Sequence, residues 1–119
     1  MKNIASLSLI LIFLFLGLVS NQKSAKTKTI TFITTAVCDQ CKERIETKLN
    51  YTKGVVFAEL NLDNKMLTVK FKPELISEQK IKETLASIGY SSDTVKRDSE
   101  AYNALPKCCQ SGGVCEPKK

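Results

Sequence analysis

The sequence predicts one α+β domain of order βαββαβ, and three observations carry that prediction. Three segments alternate apolar and polar residues with the period of a strand, two repeat their apolar residues with the period of a helix, and Gly54, Asp63-Asn64, Pro73 and Gly89 punctuate the junctions. The length of 119 residues, with 43% apolar and 25% charged content, suits a single ordinary globular unit. The order is that of a split βαβ, or ferredoxin-like, arrangement: a four-stranded antiparallel sheet with two helices on one face.

Residues 29–35 are rich in β-branched side chains, with Ile30 and Phe32 alternating against Thr29, Thr31 and Ile33, which suits a first strand. Over residues 41–50 the spacing changes: Cys41, Ile45 and Leu49 fall four apart, and charged residues fill the remaining arc of a helix. Asp39 stands where it can help cap that helix. After Gly54, Val56, Ala58, Leu60 and Leu62 alternate with Phe57, Glu59 and Asn61 as a second strand, and Asp63-Asn64 makes a hairpin turn. In the third strand Leu67, Val69 and Phe71 point one way and Thr68, Lys70 and Lys72 the other, until Pro73 ends it.

Ser77 is placed to cap a second helix, Glu78 lies in its first turn, and Ile81, Leu85 and Ile88 form its apolar face before Gly89. Residues 94–96 then make a fourth, edge strand. Residues 98–105 suit one or two further helical turns before Pro106, and residues 107–119, with Gly112-Gly113 and three cysteines, read as loosely structured.

Ahead of the domain, Lys2 and the apolar run over residues 4–19 read as an export signal. As a helix the run spans about 24 Å, short of the roughly 20 residues that cross a bilayer core, so cleavage after Ser20 is favoured over a permanent anchor. The chain then divides into a signal at 1–20, a flexible leader at 21–27, the domain at 28–97 and a cysteine-containing tail at 98–119. The expected location is periplasmic or extracellular, or the membrane surface if the signal stays attached. The 18 basic residues exceed the 12 acidic ones by six, and loss of Lys2 leaves +5. These charges are interleaved along the chain without an aromatic-basic stripe, which argues against a nucleic-acid partner.

Histidine and tryptophan are absent, which excludes every mechanism built on imidazole and with it most hydrolase chemistry, and soft-ligand chemistry must rest on thiolates; a protein that binds metal through them is not expected to be an enzyme. Cys38-Asp39-Gln40-Cys41 lies between the first strand and the first helix, with both sulfurs at the helix N-terminal end, where amide N–H groups favour thiolate. Two such thiolates suit Cu(I) or Hg(II) better than tetrahedral Zn(II), though Zn(II) stays among the candidate ions. The same tetrad also serves thiol-disulfide exchange, with Cys38 attacking and Cys41 resolving, or an inert disulfide. None of Pro73, Pro106 and Pro117 lies in a strand suited to a thioredoxin-like site, which favours metal binding over redox exchange.

With these residues in place the chain resembles the heavy-metal-associated domain of copper chaperones, copper-transporting P-type ATPase modules and periplasmic mercury-binding proteins. The resemblance spans roughly residues 28–97. It rests on Cys38-x-x-Cys41-x-x-x-Ile45-Glu46, Gly54-Val55, Ala58-x-Leu60-Asn61-Leu62, Thr68-Val69-x-Phe71, and Ile81 through Gly89-Tyr90. It implies that Cys38 and Cys41 are both metal ligands. It also implies a partner, a metal-transporting membrane protein or another metal-binding domain, that receives the ion by ligand exchange. The Met-Thr that usually precedes the first cysteine is replaced by Ala36-Val37, which bears on loop rigidity and metal preference. Tyr90 stands where the family's second-helix loop approaches the metal, either touching the site or capping the core. Asp39, Lys42, Arg44 and Lys48 flank the site as helix surface or as partner contacts.

Cys108, Cys109 and Cys115 fall outside the resemblance and match no four-ligand zinc spacing. A disulfide from Cys115 to Cys108 or Cys109, or simple disorder, is favoured over a tail that folds back to add thiolates to the Cys38/Cys41 site or builds a second one. A monomer is expected, with a metal-bridged dimer as the alternative.

Overall fold

The computed structural model describes residues 25–110; the export segment, most of the leader and the stretch that includes Cys115 lie outside the described residues. The elements are β1 (Lys28–Ile33), α1 (Asp39–Asn50), β2 (Val55–Asn61), β3 (Met66–Phe71), α2 (Glu78–Ser87) and α3 (Ser99–Ala104), followed by a 3-10 turn at Lys107–Cys109. The strands form one antiparallel sheet of order β1-β3-β2, in which Leu67 stands opposite both Phe32 and Leu60. The strand with the cleanest alternation takes the centre: Leu67, Val69 and Phe71 are all buried, and their neighbours Thr68 and Lys70 are not. Cys41, Ile45 and Leu49 of α1 and Ile81 and Leu85 of α2 close the core against this face.

The sheet has three strands among the described residues, not four. At 94–96 the chain turns on itself: Val95 N–H donates to Ser92 Oγ at 3.0 Å and its carbonyl accepts from Ser92 N–H at 2.9 Å. The serine hydroxyl thus takes the donor that a strand ladder needs. Toward the end of β1 the segment makes two links, Thr35 N–H to the Ser91 carbonyl at 3.3 Å and Ser91 N–H to Thr35 Oγ1 at 3.0 Å.

Two smaller expectations also change. The ladder between β2 and β3 slips at Val55/Phe57, a bulge that turns Val56 outward to 48% exposure while Ala58 and Leu60 keep their inward positions. Cys38, not Asp39, is the N-cap of α1; Asp39 is its first helical residue, favourable there because its charge faces the positive helix end. Ser77 caps α2 as expected, its Oγ accepting from Lys80 N–H at 3.1 Å.

α2 ends in a Schellman arrangement about Gly89, whose φ of +96° suits glycine: Tyr90 N–H reaches the Leu85 carbonyl and Gly89 N–H the Ala86 carbonyl. The helical turns expected over residues 98–105 form as α3, while Lys107–Cys109 depart from the loose structure expected of them. Asp98 caps α3 through Ala101 N–H at 2.8 Å, and its own N–H donates to the Ala86 carbonyl at 3.0 Å. The Arg97 guanidinium stacks 3.4 Å from the Tyr102 ring centroid. Leu105 and Cys109 are buried in the common core, and Gln110 Nε2 donates to the Leu105 carbonyl at 3.0 Å. Residues 98–110 are therefore packed onto the C-terminal end of α2.

Lys82 of α2 is 6% exposed, its ammonium 5.2 Å from the Phe32 ring centroid and paired with Asp93 at 3.0 Å and Glu78 at 3.2 Å. Burial alone would push this ammonium down; the two carboxylates outweigh it and hold Lys82 above its ordinary value. Lys82 in turn holds the Asp93 carboxyl below the usual carboxylate range, against the smaller opposing effect of burial. A depressed carboxylate contributes stability above its unfolded pKa of about 3.9 and loses it as pH falls through the folded value. Asp93→Asn is thus expected to lower Tm at neutral pH. Because Asp93 is 44% exposed the loss is held to about 1 kcal/mol, roughly 4–8 °C, closing as the pH falls below about 4. Thermal melts of the two chains across pH 2–7 check this, and an equal gap at both ends would sink it.

Candidate metal centre

The loop between β1 and α1 brings Cys38 and Cys41 together because the helix starts between them. Cys38 is extended at the N-cap (φ −155°, ψ 175°) and has no side-chain cap bond, so the first-turn amides are not covered by its side chain. Cys41, one turn in, is fully buried and faces the core on the same side as Ile45 and Leu49. The two sulfurs stand 3.5 Å apart. They are not bonded to one another: Cys41 is a thiol, whereas Cys38 is disulfide-bonded.

Beneath the loop Ala36 is fully buried, while Val37 is 40% exposed beside the cysteines. Lys42 is committed to the scaffold. It pairs with Glu46 at 2.7 Å and donates to the Leu60 carbonyl, and Glu46 Oε1 accepts from Leu60 N–H at 2.8 Å, which ties α1 to β2. That role leaves little of Lys42 for a partner.

The 3-10 turn carries Cys108 and Cys109 to the same place. Both are thiols, so neither of the tail disulfides expected from the sequence is present at these residues. The physical reason is the packing of α3: it sets Cys109, 2% exposed, into the core beside Cys41. The sulfurs of Cys38, Cys108 and Cys109 all lie within 4.8 Å of one another, and those of Cys108 and Cys109 are 3.9 Å apart. Cys108 Sγ donates to Gln40 Oε1 at 3.3 Å, and its carbonyl oxygen lies 3.7 Å from Cys38 Sγ. Gln40, a spacer residue within the tetrad, is a contact the sequence reading missed; no one-dimensional signal links it to a residue 68 positions away.

Tyr90 is 1% exposed, and its hydroxyl finds no hydrogen-bond partner of ordinary geometry. It faces the sulfurs of Cys41 and Cys109. An orphaned buried hydroxyl costs about 1–3 kcal/mol, a cost that falls when a neighbouring thiol becomes a thiolate and a strong acceptor. Burial pushes the Cys41 thiol up, but the facing Tyr90 hydroxyl, the Val37 and Cys38 amides and Cys109 outweigh it and hold Cys41 below its ordinary value. Cys109 moves the other way: burial and the neighbouring Cys41 push it up to about 12. Cys41 is therefore the more acidic thiol of the pair, and Cys109 the less acidic one. Such a group of close sulfurs, one of them acidified by its neighbours, can hold a soft cation or undergo disulfide exchange.

The sequence profile of the heavy-metal-associated domain matches residues 30–91, just over half of the chain. Human copper-transporting ATPase 2 is 32% identical over 71 residues, which are 60% of this chain and 5% of that protein. Among solved structures, the CopZ metallochaperone superposes with a TM-score of 0.53 at 24% identity, covering 55% of this chain and 98% of its own. Oxidised MerP from Ralstonia metallidurans CH34 does so with a TM-score of 0.54 at 23% identity, covering 57% and 96%. These two likenesses speak for the fold. The profile match over more than half of the chain, including both Cys38 and Cys41, shows that this chain belongs to the heavy-metal-associated domain family.

Proposed function

We propose that this protein is an exported soft-metal-binding protein, a metallochaperone or a metal sequestrant, that holds Cu(I) or another thiophilic ion through the Cys38 and Cys41 thiolates. The observation that carries the reading is the pair of sulfurs 3.5 Å apart at the start of α1, one of them held toward thiolate by loop amides and Tyr90. Convergent thiolates select soft d10 ions over hard ones. The copper-transporting relative supports copper as the first ion to test, with Hg(II) and Zn(II) after it. The apolar run behind Lys2 supports export, and ligand exchange with a metal-transporting membrane protein or a second metal-binding domain would follow from a site at the domain's loop end. On this reading the protein is a binding module and not an enzyme.

Cys38 ligates only when reduced. Its disulfide favours a second reading, a thiol-disulfide exchange protein that uses the same cysteine pair. The full chain, reduced, freed of oxygen and kept in mild detergent, is to be titrated with Cu(I) against a competing chelator. Tight uptake that is lost in Cys38→Ser/Cys41→Ser is expected. Failure of the unmodified chain to compete, together with catalytic turnover of a dithiol substrate, would replace the metal reading by the redox one.

A further inference from the structure

A two-thiolate site leaves Cys108 and Cys109 without a purpose, yet α3 and the turn after it are built to deliver them. Gly89 lets the Tyr102 backbone approach so closely that an added Cβ would stand 3.0 Å from it, and Gln110 and Arg97 fasten the segment on either side. The delivered sulfurs form a triad of Cys38, Cys108 and Cys109, with Cys41 at its edge beside Cys38. Four sulfurs around an ion with bonds of about 2.3 Å stand about 3.8 Å apart in a tetrahedron. Here the Cys38–Cys41 and Cys108–Cys109 separations are 3.5 and 3.9 Å, and Cys38 lies within 4.8 Å of both tail sulfurs. The independent observation is Tyr90, whose fully buried, unpartnered hydroxyl is aimed at one sulfur from each pair, Cys41 and Cys109. A donor so placed is satisfied when those sulfurs are metal-bound thiolates.

We propose that Cys108 and Cys109 join Cys38 and Cys41 in a four-thiolate site that encloses a tetrahedral thiophilic dication of the Zn(II) or Cd(II) class, with Tyr90 donating to the shell. The proposal rests on the reading of Cys38 and Cys41 as ligands and extends it. Binding takes four thiolates and releases the protons still on the thiols to solvent. Cys38 enters after its disulfide is reduced; a phosphine supplies the two electrons and leaves as the phosphine oxide, with water supplying oxygen and the two thiol protons. A closed shell keeps its ion, in contrast to an open two-thiolate site that hands it on.

The test loads the phosphine-reduced full chain with Cd(II) alone and reads the cadmium–thiolate charge-transfer absorption per bound ion, which scales with the number of Cd–S bonds. Relative to the unmodified chain, Cys108→Ser/Cys109→Ser is expected to fall to about half and Cys108→Ser alone to about three quarters, four bonds becoming two and three. Cys115 is kept in every variant. Cys108 is only partly buried, so the single variant decides the matter if the double one fails to fold. Absorption unchanged in the tail variants, or absent in the unmodified chain, overturns the proposal. If Cu(I) uptake still depends on Cys38 and Cys41 while the tail variants match the unmodified chain, only the four-thiolate shell fails. If Cu(I) uptake survives Cys38→Ser/Cys41→Ser, the underlying two-cysteine reading fails with it.

Discussion

Ile45→Ala is expected to cost about 2–5 kcal/mol of folding stability, a large share of the 5–15 kcal/mol of a typical domain. Ile45 is fully buried on the face of α1 that packs against the sheet, one turn after Cys41 and one before Leu49. Its removal leaves a cavity between helix and sheet that the Glu46 and Asn50 anchors resist closing: Glu46 Oε1 accepts from Leu60 N–H, and Asn50 Oδ1 from Ala58 N–H at 2.9 Å. The helix cannot slide inward without breaking those bonds, so the cavity persists and the full cost is felt. Urea unfolding of the two chains measures it as a lower midpoint with an unchanged slope. A loss below about 1 kcal/mol would mean that α1 is not seated on the sheet as described.

Gly89→Ala is expected to cost about 1–3 kcal/mol through backbone strain alone, since its φ of +96° lies where side-chain-bearing residues rarely go. The new Cβ would also stand 2.9 Å from Leu105 Cδ1 and 3.0 Å from the Tyr102 backbone. The leucine tip can yield, but the Tyr102 backbone belongs to α3, so relief comes from moving that helix away from α2. Cys109 then loses its cover. The expected result is a lower Tm together with faster alkylation of Cys109, mapped by mass spectrometry, in the folded protein. A lower Tm with unchanged Cys109 labelling would show that the 3-10 turn is held independently of Gly89.

The strands and the first two helices are legible because their apolar periods are long and are supported by local chemistry. β3 reads cleanly since every second side chain is buried, and α2 does because Ser77 and Gly89 mark its ends. What escapes is decided by single hydrogen bonds or by contacts far apart along the chain. Val56 reads as inward, yet a bulge turns it out. Residues 94–96 have the composition of an edge strand, but Ser92 Oγ takes the donor that the ladder needs.

By itself the sequence determined the alternation that builds the sheet, the helix that begins within the Cys38-x-x-Cys41 tetrad, and the absence of histidine that leaves thiolates as the soft ligands. All of these are local properties, set by neighbours a few positions apart. Only the tertiary structure decided that residues 98–110 fold back. Their composition is polar and cysteine-rich, and the force that places them comes from the α2 end: Gly89 permits the close approach, Ala86 accepts from Asp98, and Leu105 and Cys109 are covered by the core. The meeting of Cys109 with Cys41 and Tyr90 follows from that docking. It is a contact across 68 residues whose free energy comes from burial of apolar surface, and burial has no one-dimensional pattern to announce it.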